Sequence, residues 1–230
     1  MWKLIKLEWR KGNIIKYIRN AIIMTMILSV FLILTAGTAG ADTTSMGFYE
    51  RSIINAAVEL YTNMTYIVFT GVMLAAFIVE EYEKGTISLM FSYPIKRKKI
   101  LLSKIYAVWI FNVIALIVSK IFIYVVLIAA KSFLHISAGD IPYHSWMFWI
   151  DMLVSSLVMI CISYIVLPIG LKMHSSKATV VAAVLIACFS HGNIQGYTLL
   201  GNVYYYTFLV IISCLFIFLA ICNVEKKDVT

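Results

Sequence analysis

The chain has 230 residues, of which 62% are hydrophobic and 13% are charged, with a mean hydropathy of +0.93 and a net charge of +8. A soluble globular domain carries about 25% charged residues, so this chain has too few polar residues to cover a water-exposed surface. The composition therefore excludes a soluble enzyme and a disordered tail, and it indicates a membrane protein.

The first 19 residues form a basic, amphipathic segment. Apolar residues that include Trp2 and Trp9 alternate with lysines and arginines, which is typical of a helix lying in the cytoplasmic membrane interface. The apolar run that follows ends in Ala39-Gly40-Ala41, which resembles a signal-peptidase cleavage site. Because about 20 residues precede that run, we predict an uncleaved anchor, with a cleaved signal as the alternative.

Six apolar runs are candidates for membrane spans. A hydrocarbon core about 30 Å thick needs roughly 20 helical residues. The predicted spans are 21–40, 57–79, 105–130, 146–170, 178–190 and 202–222. The last two come from 47 residues without charge between Lys177 and Glu225, which we divide at the glycine-containing segment 191–196. Because the fifth span is short, we expect the segment after it to dip partly back into the membrane.

The positions of the basic residues orient these spans. Sixteen of the lysines and arginines lie in the N-terminal segment, in the loops after spans two and four and in the C-terminal tail, while the opposite side has Arg51 and Lys131. Basic residues near the ends of spans concentrate in the cytoplasm, so we predict that both termini are cytoplasmic. The positive charge then reflects topology, and a nucleic-acid partner is not expected.

Polar side chains occur within the second, third and fourth predicted spans. A lysine facing lipid near the bilayer centre costs about 2.5 to 3.5 kcal/mol, so we expect Lys120 to pair with Glu59 or Asp151, or to line a cavity. Two interpretations stay open, a substrate path and a structural pair. The candidate path residues are Glu59, Asn63, Tyr66, Thr70, Asn112, Lys120 and Asp151.

Known catalytic motifs are missing from the sequence. No GxxxxGK[ST] loop is present to bind nucleotide phosphates, and no HExxH motif is present to bind zinc. The four cysteines lie in apolar runs without metal-ligand spacing. An intramembrane protease is a remote alternative, because Glu80 and Glu81 are followed by Gly85 where the paired-glutamate motif requires arginine. We predict no catalytic residue and no metal site.

Residues 80–104, between spans two and three, form the longest predicted cytoplasmic connection. They resemble the signature loop of type-2 ATP-binding-cassette transporter permeases, in which an acidic residue precedes Gly-Thr, then Leu, Pro, a basic residue and a Lys at the next span. The matching positions are Glu81, Gly85, Thr86, Leu89, Pro94, Arg97 and Lys104, with Glu80 and Glu83 beside them. Outside this loop the resemblance is architectural.

The loop also has the features of a short helix between two anchored spans. Gly85-Thr86 provides a break and an N-cap, residues 87–92 follow, and Pro94 ends the segment. In the family that the chain resembles, this is the coupling helix, which docks on a separate ATPase subunit. An ordinary solvated loop is the alternative.

The resemblance implies one membrane permease domain over residues 1–230. It implies an exporter in the bacterial plasma membrane that moves a peptide, antibiotic or lipid-like substrate, similar to small antimicrobial-peptide immunity permeases. The expected partners are an ATP-binding-cassette ATPase, a second identical or paralogous permease subunit and membrane lipid. This chain is expected to bind no cofactor, while ATP and Mg bind the ATPase. A channel or scaffold protein that needs no ATP is the alternative.

Overall fold

The computed structural model describes residues 2–39, 50–84, 97–134, 146–191, 193–194, 197–198 and 203–226. In chain order the helices are α1 (Trp2–Lys11), α2 (Ile14–Ala39), α3 (Glu50–Leu74), a π-helix (Ala75–Val79), α4 (Glu80–Glu83), α5 (Arg97–Leu134), α6 (Trp146–Ser163), α7 (Val166–Met173), α8 (Ser176–Ser190) and α9 (Val203–Lys226). Strands β1 (Asn193–Ile194) and β2 (Tyr197–Thr198) pair antiparallel between α8 and α9. Apart from this short ladder, the described residues confirm the predicted all-α fold.

Four helical stretches within the described ranges are long and apolar enough to cross a membrane. They are Ile14–Thr35, Asn55–Glu83, Lys99–Ala130 and Trp146–Met173. The shorter apolar helix Ser176–Ser190 coincides with the fifth predicted span, and the apolar stretch Tyr204–Phe218 lies within α9 and within the sixth. These helices are those of a membrane-embedded protein, and the number of six crossings stays a prediction.

Several helix boundaries have a local cause. Gly12 and Asn13 separate α1 from α2, and Asn13 takes a positive φ of 49°, which asparagine tolerates better than most residues. His174, with a φ of 46°, ends α7. Ser175 then caps α8, and its side chain accepts a hydrogen bond from the Ala178 N–H at 3.5 Å.

The described helices pack into two compact units. The first comprises Met1–Ile14, Met64–Val113 and Leu157–Thr230. Within it, a core of Ile67, Met159, Ile162, Ala187 and Leu209 joins α3, α6, α8 and α9. Gly71 allows α3 to approach α8 closely, because a Cβ at this position would overlap Ala183.

The second unit comprises Ile15–Asn63 and Ile114–Ser156. Its buried core residues are Leu32, Val58, Ile123, Tyr124, Leu127 and Met152. They bring α2, α3, α5 and α6 together. Exposed apolar residues such as Ile22, Ile27 and Leu34 on α2 provide a surface suited to lipid.

Candidate functional site

The residues that flank the predicted coupling loop are partly within the described structure. Glu80, Glu81 and Glu83 lie on α4, and Lys104 lies on α5. Arg97 begins α5, but its side chain is outside the described part. Gly85, Thr86, Leu89 and Pro94, together with the predicted helix over 87–92, also lie outside the described residues.

Lys104 is the centre of a buried cluster of charges in the first unit. Its side chain is 3% exposed, and its Nζ lies 2.7 Å from Glu81 Oε2 and 3.1 Å from Glu8 Oε2. The same ammonium donates a hydrogen bond to the Phe77 carbonyl at 3.2 Å. Lys11 Nζ lies 2.8 Å from the other Glu81 oxygen, so two lysines and two glutamates balance one another.

Helix α1 is fixed to this cluster by further contacts. The Trp9 indole N–H donates to the Ala107 carbonyl on α5 at 3.0 Å. Gly12, at the end of α1, lies against the Phe77 ring, which a Cβ on Gly12 would overlap. Charge, hydrogen bonding and packing therefore hold α1 against the π-helix and against α5.

The last turn of α4 contacts the start of α8. Glu83 Oε2 accepts hydrogen bonds from the Ser176 backbone N–H at 3.0 Å and from its hydroxyl at 2.6 Å, a favourable position for a carboxylate at a helix N-terminus. On the exposed side, Lys84 pairs with Glu80 at 2.5 Å. The hydrogen bond to Glu80 and, second, the attraction of that carboxylate raise the pKa of Lys84.

Sequence reasoning had missed Glu8 as a partner in this cluster. A signal was present, because Glu8 is the single acidic residue among the first 19. An isolated acid in a basic interfacial helix indicates a specific cationic partner rather than a general affinity for anionic lipid. Which cation it meets depends on tertiary packing, since Glu8 and Lys104 are far apart in the chain.

The second unit contains a separate polar network around Glu59. Lys120, which is fully buried, donates to Glu59 Oε2 at 2.8 Å. Asn63 Nδ2 donates to the same oxygen at 3.0 Å, and Ser155 Oγ donates at 2.7 Å. Of the two carboxylates predicted as partners for Lys120, the structure selects Glu59, while Asp151 is exposed. Ser155, on α6, was not anticipated.

The other candidate path residues are buried in the first unit. Tyr66, Thr70 and Asn112 are each completely enclosed. The Thr70 hydroxyl donates to the Tyr66 carbonyl, and Asn112 donates to the Val108 carbonyl. A cavity of about 360 Å³ in this unit lies elsewhere and is lined mainly by aliphatic side chains of α6, α8 and α9. The role of these residues in a substrate path stays a prediction.

Comparison with known proteins identifies similar sequences. Residues 4–190 match the family described as "ABC-2 family transporter protein". The chain is also similar to the uncharacterized protein YcbO of Bacillus subtilis (strain 168), with 27% identity over 226 residues that cover 98% of this chain and 99% of YcbO. No solved structure matches the chain significantly.

Proposed function

The chain belongs to the ABC-2 family of transporter proteins, and on that premise we propose that it couples ATP hydrolysis by a partner subunit to substrate export. Membership of this family makes it the permease component of an ABC transporter, which associates with an ATP-binding-cassette ATPase. The match over residues 4–190 is the observation that carries this function. The export direction, the substrate and the contact with the ATPase are the proposed parts.

We place the contact with the ATPase at residues 85–96 and at the helix ends beside them. The Lys104 cluster supports this placement, because it ties α4, which precedes the loop, to α5, which follows it, through the 2.7 Å Glu81–Lys104 ion pair. Because an ion pair links the helices at the two ends of the loop, a displacement of the loop is transmitted to both helices. The chain has no nucleotide-binding motif of its own, so the energy has to enter through such a contact.

The assembly that we propose contains two permease subunits, identical or paralogous, and two ATPase subunits. ATP and Mg would bind the ATPase subunits. The permease would lie in a bacterial plasma membrane with both termini and the coupling loop in the cytoplasm, as the sixteen-to-two distribution of basic residues indicates. Closure of the ATPases on ATP would shift the membrane subunits between inward-open and outward-open states.

A peptide, antibiotic or lipid-like compound is the substrate class that we propose. Support comes from the apolar character of the chain, which suits substrates that partition into the bilayer, and from the resemblance to small peptide-immunity permeases. The Glu59–Lys120 network adds a polar group that an amphiphilic substrate would meet inside the membrane. The substrate path that we propose lies in the second unit and includes this network together with Asn63 and Asp151.

Co-purification of the ATPase tests the proposed contact. We expect the tagged wild-type chain, solubilised from its own membranes, to retain an ATP-binding-cassette ATPase. The double substitution Glu81→Lys and Gly85→Val should reduce the retained ATPase about tenfold or more, because it reverses a paired charge and restricts the backbone at the start of the loop.

The matched control is Lys172→Glu, an exposed charge reversal at the end of α7 on the same predicted side of the membrane. This variant should retain the wild-type amount of ATPase. If the double variant is inserted normally and still retains as much ATPase as the wild type, the proposed contact is wrong.

A further inference from the structure

We propose that Lys104 is a positioning residue that keeps Ala75–Val79 in the π-helical form and fixes α1 against it. The direction in which α4 enters the coupling loop is then set by one buried ammonium. This inference rests on the proposed coupling function and deepens it, because it names the residue that links the N-terminal helix to the base of the loop.

The π-helix is the unusual element in this argument. The Glu80 N–H bonds to the Ala75 carbonyl five residues earlier, whereas an α-helix uses the carbonyl four residues earlier. Such turns are rare, and they concentrate at functional sites. Converting this segment to a regular α-helix would rotate the following turn by about one residue step, roughly 100°. That rotation would carry the Glu81 carboxylate away from Lys104.

The contacts of Lys104 favour the π-helical form. Its ammonium donates a hydrogen bond to the Phe77 carbonyl and forms ion pairs with two further acceptors, the carboxylates of Glu8 and Glu81. Two of these acceptors, Phe77 and Glu81, belong to the π-helix and to α4. Because Lys104 is buried, losing either acceptor would leave a charge poorly compensated. The ammonium therefore stabilises the π-helical form, in which the Phe77 carbonyl and the Glu81 carboxylate both lie within reach of it.

Glycine contacts on two sides tie the π-helix to its neighbours. The Phe77 ring lies against Gly12 at the end of α1, and Val79 lies against Gly170 on α7. Side chains at either glycine would overlap these residues. Conversion to an α-helix would move Phe77 and Val79 out of both contacts, so α1 would be displaced when the π-helix changes.

Glu8 links Lys104 to α1 through an ion pair. It shares the ammonium with Glu81, and it lies one helical turn before Gly12, whose N–H bonds to the Glu8 carbonyl. A displacement of α1 would therefore move Glu8 away from the Lys104 ammonium. The charge of Lys104 would then be less well neutralised, and the π-helix that it contacts would be less stable. A substitution at Lys104 should loosen both segments, whereas a substitution at Glu8 should loosen α1 most and the π-helix to a smaller extent.

Hydrogen exchange of the full chain, purified without the ATPase in phospholipid nanodiscs, tests this inference. In Lys104→Met, we expect amide exchange to increase about tenfold or more in residues 2–11 and 75–83, with little change in α8. Lys104→Arg, which keeps the charge, should bring both segments back towards wild-type exchange. Lys84→Met removes the exposed ion pair with Glu80 at the end of α4, and it should leave amide exchange in both segments unchanged.

The Glu8→Gln variant gives a second test if Lys104→Met does not fold. It should increase exchange most in residues 2–11, with a smaller increase in residues 75–83. Unchanged exchange in 75–83 for Lys104→Met, or an equal increase throughout the first unit, would overturn the positioning role. For Glu8→Gln, an unchanged exchange or the same increase in both segments would also overturn it. Because the ATPase is not part of this experiment, its outcome is independent of the proposed function.

Discussion

Two lysines among the residues that the structure describes are almost fully buried, and a glutamate on another helix compensates each of them. Lys104 pairs with Glu81 and Glu8, and Lys120 pairs with Glu59. Desolvation makes an unpaired buried charge unfavourable, which is why the sequence alone predicted a partner for Lys120. The burial of Lys104 does not follow from the sequence in the same way, because Lys104 stands just before the predicted third span, where a position in water is expected.

Lys120 provides a prediction that separates a structural pair from a substrate path. The substitution Lys120→Met should lower the free energy of unfolding by about 1 to 3 kcal/mol, less than a fully buried pair would lose. The loss is limited because the Glu59 side chain is 24% exposed and keeps hydrogen bonds from Asn63 and Ser155. Thermal unfolding of the purified protein measures this change.

The double variant Lys120→Met with Glu59→Gln is the matched control. Removing both charges should bring stability back to near the wild-type value. If the pair lies on the path, ATP turnover by the purified complex should stay altered in the double variant. Recovery of both stability and turnover would assign the pair a structural role instead.

At the scale of the elements, the sequence predicted the helices well but not their interruptions. Long apolar runs determine where a helix forms in a membrane, because backbone groups there must bond within the helix. Helix α5 begins at Arg97, eight residues before the predicted third span, since lysine and arginine are good helix formers and extend the helix towards water.

One helix interruption has a cause that is visible in the sequence, and the other has none. The fourth predicted span is divided into α6 and α7 around Tyr164 and Ile165, and Pro168 in the first turn of α7 accounts for the break, because proline lacks an N–H to bond back to Tyr164. The π-helix within the second span has no such marker. Its residue Phe77 contacts Gly12 and Lys104 on other helices, and no local pattern encodes these contacts.

At the candidate coupling site, too, the sequence predicted some of the residues but not those brought in by tertiary packing. The motif residues Glu81 and Lys104 were identified from the resemblance of residues 80–104 to the permease signature loop, and the structure joins them at 2.7 Å. The contribution of α1 was missed, because Glu8, Trp9 and Gly12 reach the site through packing between helices distant in sequence. Short motifs identify the residues that flank a loop, whereas the elements that support them follow from the tertiary fold.

At the scale of the whole molecule, the two polar clusters belong to different compact units. The Lys104 cluster lies in the unit that contains Met64–Val113, and the Glu59–Lys120 pair lies in the unit that contains Ile15–Asn63. Each cluster joins helices within its own unit. The described buried ion pairs therefore fall into two groups, one at the candidate coupling site and one at the candidate path.

The distribution of basic residues predicts which side of the membrane each loop faces. In a chain whose four cysteines are replaced, we expect Arg51→Cys to react with an impermeant thiol reagent added to intact cells. Lys98→Cys should react after the cells are opened, because its loop is predicted to be cytoplasmic. Reaction of position 98 in intact cells would reverse the orientation.

Photo-cross-linking from the loop tests most directly that this permease receives its energy through residues 85–96. A photoreactive amino acid is placed at Leu89, and a control is placed at Trp146, at the start of α6 and on the opposite predicted side of the membrane. We predict that irradiation of native membranes joins position 89, and not position 146, to an ATP-binding-cassette ATPase. No ATPase at position 89, or equal capture at both positions, would contradict this account and favour a channel or scaffold.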